Sequence, residues 1–134
     1  MLWSSPMYNG SASGSFKNAI DWLHVLGSRD PAYLHDKVIG MISAAGGIQG
    51  LQVINTMDFS ARALRAWAVP FAVPAAGAAL AFAESGEVQD PALELQLRTL
   101  GAEVVRVAER FARDPSLHMP TECRCAAERA AQAA

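Results

Sequence analysis

The opening stretch constrains this chain more than any other. Ser4-Ser5-Pro6-Met7-Tyr8-Asn9-Gly10-Ser11 leads into Phe16-Lys17-Asn18-Ala19-Ile20-Asp21-Trp22. Met1 to Ser5 is short and apolar, compatible with the end of a strand that Pro6 stops. Asn9-Gly10 is a strong turn pair, because both residues accept positive φ. Ser13-Gly14-Ser15 then offers N-cap candidates. Phe16, Ala19, Ile20, Leu23 and Leu26 recur at helical spacing, which predicts a helix of about three turns stopped by Gly27. A strand, a tight loop and a helix in this order are the unit of an open α/β sheet. Such sheets place ligands on the loops at the carboxyl ends of their strands.

The same order recurs downstream. Lys37-Val38-Ile39-Gly40-Met41-Ile42-Ser43 is a short continuous apolar run, the pattern of a buried parallel strand. Ala44-Ala45-Gly46-Gly47-Ile48-Gln49-Gly50 follows as a second glycine-rich loop. A helix is then expected from about Leu51 to Trp67. Leu51, Ile54, Ala61 and Leu64 form its apolar side, and Asp58, Arg62 and Arg65 its polar side. Val69-Pro70-Phe71-Ala72-Val73-Pro74 reads as a third strand, placed at an edge because its prolines block ladder bonds on one side. Residues 75–89 read as a loop with a turn at Glu84-Ser85-Gly86-Glu87. Asp90-Pro91 is an N-cap followed by proline at the first helical position. Leu93, Leu97, Leu100, Val104, Val107 and Phe111 mark one face of a long helix to about Arg113. The alternation predicts an α/β fold with a parallel sheet and right-handed crossovers. The domain is expected over residues 1–113, followed by an Ala-rich tail over 114–134.

Composition narrows the function classes. A length of 134 residues allows one domain. With 51% hydrophobic and 18% charged residues the chain is globular rather than disordered. A formal net charge of −2 and the lack of a basic stripe argue against a nucleic-acid partner. Cys123 and Cys125 make no disulfide framework, read as two free thiols, and fit a reducing, cytoplasmic compartment. Met1-Leu2-Trp3-Ser4 carries no basic region ahead of a long apolar one, so a secretory signal is not expected. Residues 66–83 are uncharged, but they are Ala-rich and contain Pro70, Pro74 and Gly77. They are expected to form a strand and a small-residue loop, not a membrane span.

Two loops therefore leave the ends of consecutive parallel strands and should lie side by side. Each is rich in small residues and free backbone N–H groups, which suits an anion or a flat hydrogen-bonding ring. Ser4, Ser5, Ser11 and Ser43 have no adjacent His or Lys, which favours ring or phosphate binding over acyl transfer. His24, His35 and His118 share no metal-ligand spacing. Lys17 and Asp21 at i, i+4 read as a solvated pair. Trp3, Trp22 and Trp67 are assigned by default to core or interface packing.

The motif Ser5-Pro6-Met7-Tyr8-Asn9-Gly10-Ser11, followed by Lys17-Asn18-Ala19-Ile20-Asp21-Trp22, closely resembles the NADPH-dependent FMN reductase family of flavodoxin-like proteins. Ser43-Ala44-Ala45-Gly46-Gly47, with Gly50, is similar to that family's second loop. The stretch from Phe82 to Asp90 also resembles the segment before its last helix. The resemblance covers roughly residues 1 to 113. It implies a noncovalent FMN and hydride transfer from NAD(P)H. Cofactor contacts would come from Pro6, Met7, Tyr8, Asn9, Gly10 and Ser11 on one side, and from Ser43, Ala44, Ala45, Gly46 and Gly47 on the other. It implies no side-chain acid or base, with Tyr8 shaping the pocket. The family's pattern begins with a strand, a Gly-Ser-x-Arg-x-x-Ser phosphate loop and a second strand. None of these is found here, and Met1 aligns within the family's third strand. The expected architecture is therefore a flavodoxin-like three-layer sheet reduced to about three strands and three helices, with weakened FMN affinity. A homo-oligomer is expected through the helix from Phe16 to Leu26 or along an open strand edge; the resemblance places that helix near a dimer interface, where Lys17 and Asp21 would pair across subunits instead of standing as a solvated pair. The alternative function is a catalytically inactive remnant serving as an interaction or dimerisation module.

Overall fold

The computed structural model describes residues 1–117. His118, Cys123, Cys125 and most of the expected tail lie outside the described residues. Four strands form one sheet: β1 (Leu2–Tyr8), β2 (Ser11–Ala12), β3 (Val38–Ala45) and β4 (Trp67–Ala76), in the order β2-β1-β3-β4. β1, β3 and β4 are parallel, and β2 turns back antiparallel on β1. Helices α1 (Gly14–Trp22) and α2 (Leu51–Ala63) lie on one face. A short α3 (Ala78–Ala81) follows β4, and α4 (Pro91–Arg113) covers the other face. The three layers are the expected flavodoxin-like α/β architecture.

Strand alternation divides the core in two. Trp3, Ile39 and Met41 meet Val53, Met57 and Ala61 of α2. Phe16 of α1 packs edge-on against Trp3, with ring centroids 5.6 Å apart. On the opposite face Val38, Val69 and Val73 meet Leu93, Leu100 and Val104 of α4. There α4 fits into a notch at Gly40, where an added Cβ would lie 2.7 Å from Val104 Cγ2 and 2.9 Å from Leu100 Cδ1. The apolar face read for α4 is the buried one. Its start is also as expected, with Asp90 Oδ1 accepting the Ala92 N–H at 2.9 Å.

Several boundaries differ from expectation, each for a local reason. β1 does not end at Ser5 but runs through Pro6 to Tyr8. Gly40 is the register partner of Leu2, and its N–H donates to the Met1 carbonyl at 3.0 Å. The backbone groups of Met1, Trp3 and Ser5 therefore face β3, while those of Leu2, Ser4 and Pro6 face the other edge. Proline on that edge costs β3 no hydrogen bond. The first helix is α only to Trp22 and continues as a 3₁₀ turn over Leu23–Leu26.

α2 stops at Ala63 instead of Trp67. Arg65 adopts φ 64, and the Ala66 N–H reaches back to the Ala61 carbonyl at 2.9 Å, a Schellman-type closure. Trp67 then opens β4 by donating to the Lys37 carbonyl at 2.8 Å. The buried residues of α2 are Val53, Met57 and Ala61; Leu51, expected inside, is exposed.

β4 is an edge strand as its prolines require, but it is ten residues long. Its register passes from Ile39↔Ala68 to Met41↔Ala72, and this irregularity contains Pro70. Within the expected 75–89 loop lie α3 and a turn in which the Gly86 N–H donates to the Ala83 carbonyl at 2.9 Å. Among the described residues no helix is long and apolar enough to cross a membrane.

Candidate functional site

β1 and β3 reach the same level of the sheet together, with Ser5 opposite Ser43 and Pro6 opposite Ala44. Beyond this level β1 enters a hairpin rather than an irregular loop. Met7 pairs with Ala12 and Tyr8 with Ser11. Asn9 at φ 50 and Gly10 at φ 80 close it with both central residues left-handed, the type I′ turn that matches strand twist. Pro6, Tyr8, Asn9, Gly10 and Ser11 are exposed and Met7 is half-buried. Tyr8 keeps 64% of its surface.

The β3 side is built differently. Ser43 and Ala45 are buried, Ala44 and Gly47 are half-buried, and Gly46 is exposed. A 3₁₀ turn over Ile48–Gly50 leads into α2. Gly50 has no room for a side chain: a Cβ there would lie 2.9 Å from Ser43 Oγ and 3.1 Å from Ala45 Cβ. Exposed Ile48 and Leu51 border the loop. The residues expected to form a site thus gather at one end of the sheet. Ser43 and Ala45 are its floor, while the hairpin and Gly46 are its accessible parts.

This place fits a flat polar ring better than a phosphate. The Ser43 hydroxyl is completely buried and has no hydrogen-bond partner among the described residues. Leaving such a group unpaired costs about 1–3 kcal/mol, so it calls for a water or a ligand atom. Space around Gly10 and Gly46 is open, with nothing within 4 Å of a Cβ at either position. Neither residues 6–12 nor residues 43–50 include a Lys or Arg. Any anion held by these two loops would rest on neutral donors.

Two contributors were not recognised from sequence as part of the site. Ser5 and Ser13 are buried beneath the hairpin. The Ser13 N–H donates to Ser5 Oγ at 3.0 Å, and Ser5 Oγ donates to the Pro6 carbonyl at 3.0 Å. Ser13 Oγ also accepts the Phe16 N–H at 3.2 Å, the expected helix cap. The cap was legible from the Ser-rich entry to the helix; the Ser5 contact had no motif to announce it. Gly50 was legible only as part of a glycine-rich loop, because its backbone is ordinary and its constraint is the close approach of Ser43.

Another groove lies between α1 and α2, with a volume of about 770 Å³. Lys17, Asp21, His24, Tyr33 and Phe59 are among its lining residues. Lys17 and Asp21 form an exposed ion pair within α1. Phe59 is 76% exposed, and Trp22, at the end of α1, is 69% exposed.

The layered sheet with parallel β1, β3 and β4 is of the flavodoxin-like class, in which ligands sit on the turns at the carboxyl ends of the strands. The profile of the NADPH-dependent FMN reductase family matches residues 1–81, more than half of the chain, and the chain belongs to that family. An NAD(P)H:quinone oxidoreductase of Solanum tuberosum is 49% identical over 49 residues, 37% of this chain and 23% of that protein. A probable NADPH:quinone oxidoreductase 2 of Oryza sativa subsp. japonica is 47% identical over 49 residues, 37% and 22% of the two chains. The NADPH-dependent FMN reductase ArsH of Acidithiobacillus ferrooxidans is 29% identical over 91 residues, 68% of this chain and 38% of that protein. The matched segment therefore spans about a quarter of the two plant relatives' length. These comparisons give no support to the alternative of an inactive interaction module.

Proposed function

We propose that this chain acts as, or within, a cytoplasmic NAD(P)H-dependent oxidoreductase that binds FMN noncovalently and reduces a flavin- or quinone-type acceptor. The observation that carries this reading is the pairing of the Asn9-Gly10 hairpin with the turn above the unpartnered Ser43 hydroxyl, on adjacent strand ends. FMN, when bound, supplies hydride chemistry between the nicotinamide and the acceptor. The chain's own part is binding and orientation. The exposed backbone of Pro6, Met7, Tyr8, Asn9, Gly10 and Ser11 holds one edge of the ring. On the other edge Gly46 and Gly47 offer backbone donors, with Ser43, Ala44 and Ala45 as the small residues that shape the turn from beneath. The Tyr8 ring walls the pocket, and no side-chain acid or base is called for.

The test is a titration of the purified chain with FMN, followed by visible absorbance and flavin fluorescence, then an NADPH oxidation assay. The expected result is saturable binding with a perturbed flavin spectrum. No binding at micromolar FMN together with no NADPH oxidation removes the reading for this chain.

The same reading includes a homo-oligomer formed across the α1–α2 groove, or along the free edge of β1. Exposed Trp22 and Phe59 support the groove. Lys17 and Asp21 also make α1 self-complementary under a two-fold axis. Sedimentation equilibrium should report a dimer or larger assembly, and the Phe59→Ser variant should dissociate it. A monomer at all micromolar concentrations counts against it.

A further inference from the structure

We propose that the Ser5 hydroxyl is a side-chain rung inserted into the β1–β2 hairpin, and that it is the positioning residue for the Asn9-Gly10 tip. This rests on the hairpin being the cofactor contact. In a two-residue type I′ hairpin the pair flanking the turn, here Tyr8 and Ser11, is hydrogen-bonded. Met7 and Ala12 are then a non-bonded pair, and the next bonded pair should be Pro6 and Ser13. That rung cannot form in the ordinary way, because Pro6 has no N–H.

The structure fills the gap with Ser5. Its Oγ accepts the Ser13 N–H at 3.0 Å and donates to the Pro6 carbonyl at 3.0 Å. Ser13 Oγ lies further away, at 3.4 Å, so the single hydroxyl hydrogen is better placed on the carbonyl. The hydroxyl thus stands where the direct Ser13-to-Pro6 bond would be, holding the two chains apart by its own width. Ser5 is fully buried and Ser13 is 4% exposed, so water has no access to replace the rung. The wedge lets the chain leave the hairpin at Ser13 and enter α1 directly, with φ −62 at the cap. The hairpin tip is therefore aimed from its base by a residue that reaches no ligand itself.

The experiment compares wild type, Ser5→Ala, Ser13→Pro and the double variant of the full 134-residue chain. Ser13→Pro removes the donor that the rung serves together with the Oγ that caps α1, a loss common to the single and double variants, and the φ of Ser13 already suits proline. Two readouts are taken: amide NMR, with exchange rates and shifts over residues 9–13, and FMN affinity. In Ser5→Ala the Ser13 amide should exchange about tenfold faster, or the Asn9 and Gly10 amides should shift as the base closes directly. FMN affinity should fall about tenfold. In the Ser13→Pro background the added Ser5→Ala change should have little further effect on either readout. Unchanged exchange and unchanged shifts in Ser5→Ala overturn the rung. An altered hairpin with unchanged FMN affinity overturns its role in positioning the cofactor contact. A wild-type chain that binds no FMN removes the cofactor reading, while the exchange data still decide the rung.

Discussion

Replacing Leu100 with alanine is expected to destabilise the domain by about 2–5 kcal/mol, the range for truncating a buried leucine that its surroundings cannot collapse around. Leu100 is fully buried in the centre of α4 and belongs to the core cluster of Val38, Val69, Val73, Leu93 and Val104. Collapse is hindered because the strand beneath it has already come as close as backbone allows. Gly40 offers no side chain to move into the space, and α4 sits on it directly. Domains of this size are commonly stable by only about 5–15 kcal/mol, so the loss is a large fraction of the whole. Urea denaturation followed by circular dichroism should show a lower midpoint with an unchanged slope. A loss well under 1 kcal/mol would mean that α4 does not seat on Gly40. The same contact makes a reciprocal test. Gly40→Ala overpacks the notch and should cost about 1–3 kcal/mol alone. It should cost less in the Leu100→Ala background, because the two residues share one space.

The second large effect is at the hairpin tip. Gly10→Val should lower FMN affinity about tenfold or more while shifting the melting temperature only slightly. The cause is backbone strain rather than collision. Gly10 has φ +80, and nothing lies within 4 Å of a Cβ built on it. A left-handed backbone costs an L-residue about 1–2 kcal/mol, and a β-branched side chain tolerates it least. The turn must therefore rearrange, carrying Asn9 and Tyr8 with it. Gly10→Asn, which accepts positive φ, should behave nearly as wild type. Gly14→Ala is the control, since Gly14 has neither positive φ nor a close neighbour. Equal affinity for the valine and asparagine variants would show that the turn does not present the cofactor.

Most of the fold was legible because its signals are local. The Asn9-Gly10 pair, the apolar run to Ser43 and the Asp90-Pro91 start each act within a few residues. The prolines of β4 also announced an edge strand. What was not legible depends on partners distant in sequence. Whether Pro6 ends a strand depends on which edge its nitrogen faces, and only the Leu2↔Gly40 register settles that. The end of α2 depends on Arg65 entering the left-handed region, which its residue type does not favour. The inward turning of Met57 in place of Leu51 follows from how α2 meets β3. At the site, the two turns and their side-by-side placement were readable. The Ser5 rung, the seat of α4 at Gly40 and the tight approach at Gly50 were not, because each is a contact between residues of ordinary conformation.

The register of β4 has a consequence for the sheet as a polymer of strands. Trp67 and Lys37 bond directly, and Ser43 is paired with Pro74. By the alternation of a parallel ladder, the backbone of Pro74 faces away from β3. Pro70, set in the irregular stretch, lies on the same strand. That margin loses a donor at Pro74, while Ala72 and Ala76 by the same alternation keep theirs outward, so a further strand there would pair with one rung missing. The opposite margin, along Leu2 and Ser4, keeps its N–H and C=O groups outward. The two margins of the sheet are therefore unequal, and a strand added beside β1, next to the hairpin that Ser5 props open, would meet the row of groups that proline does not interrupt between Leu2 and Ser4.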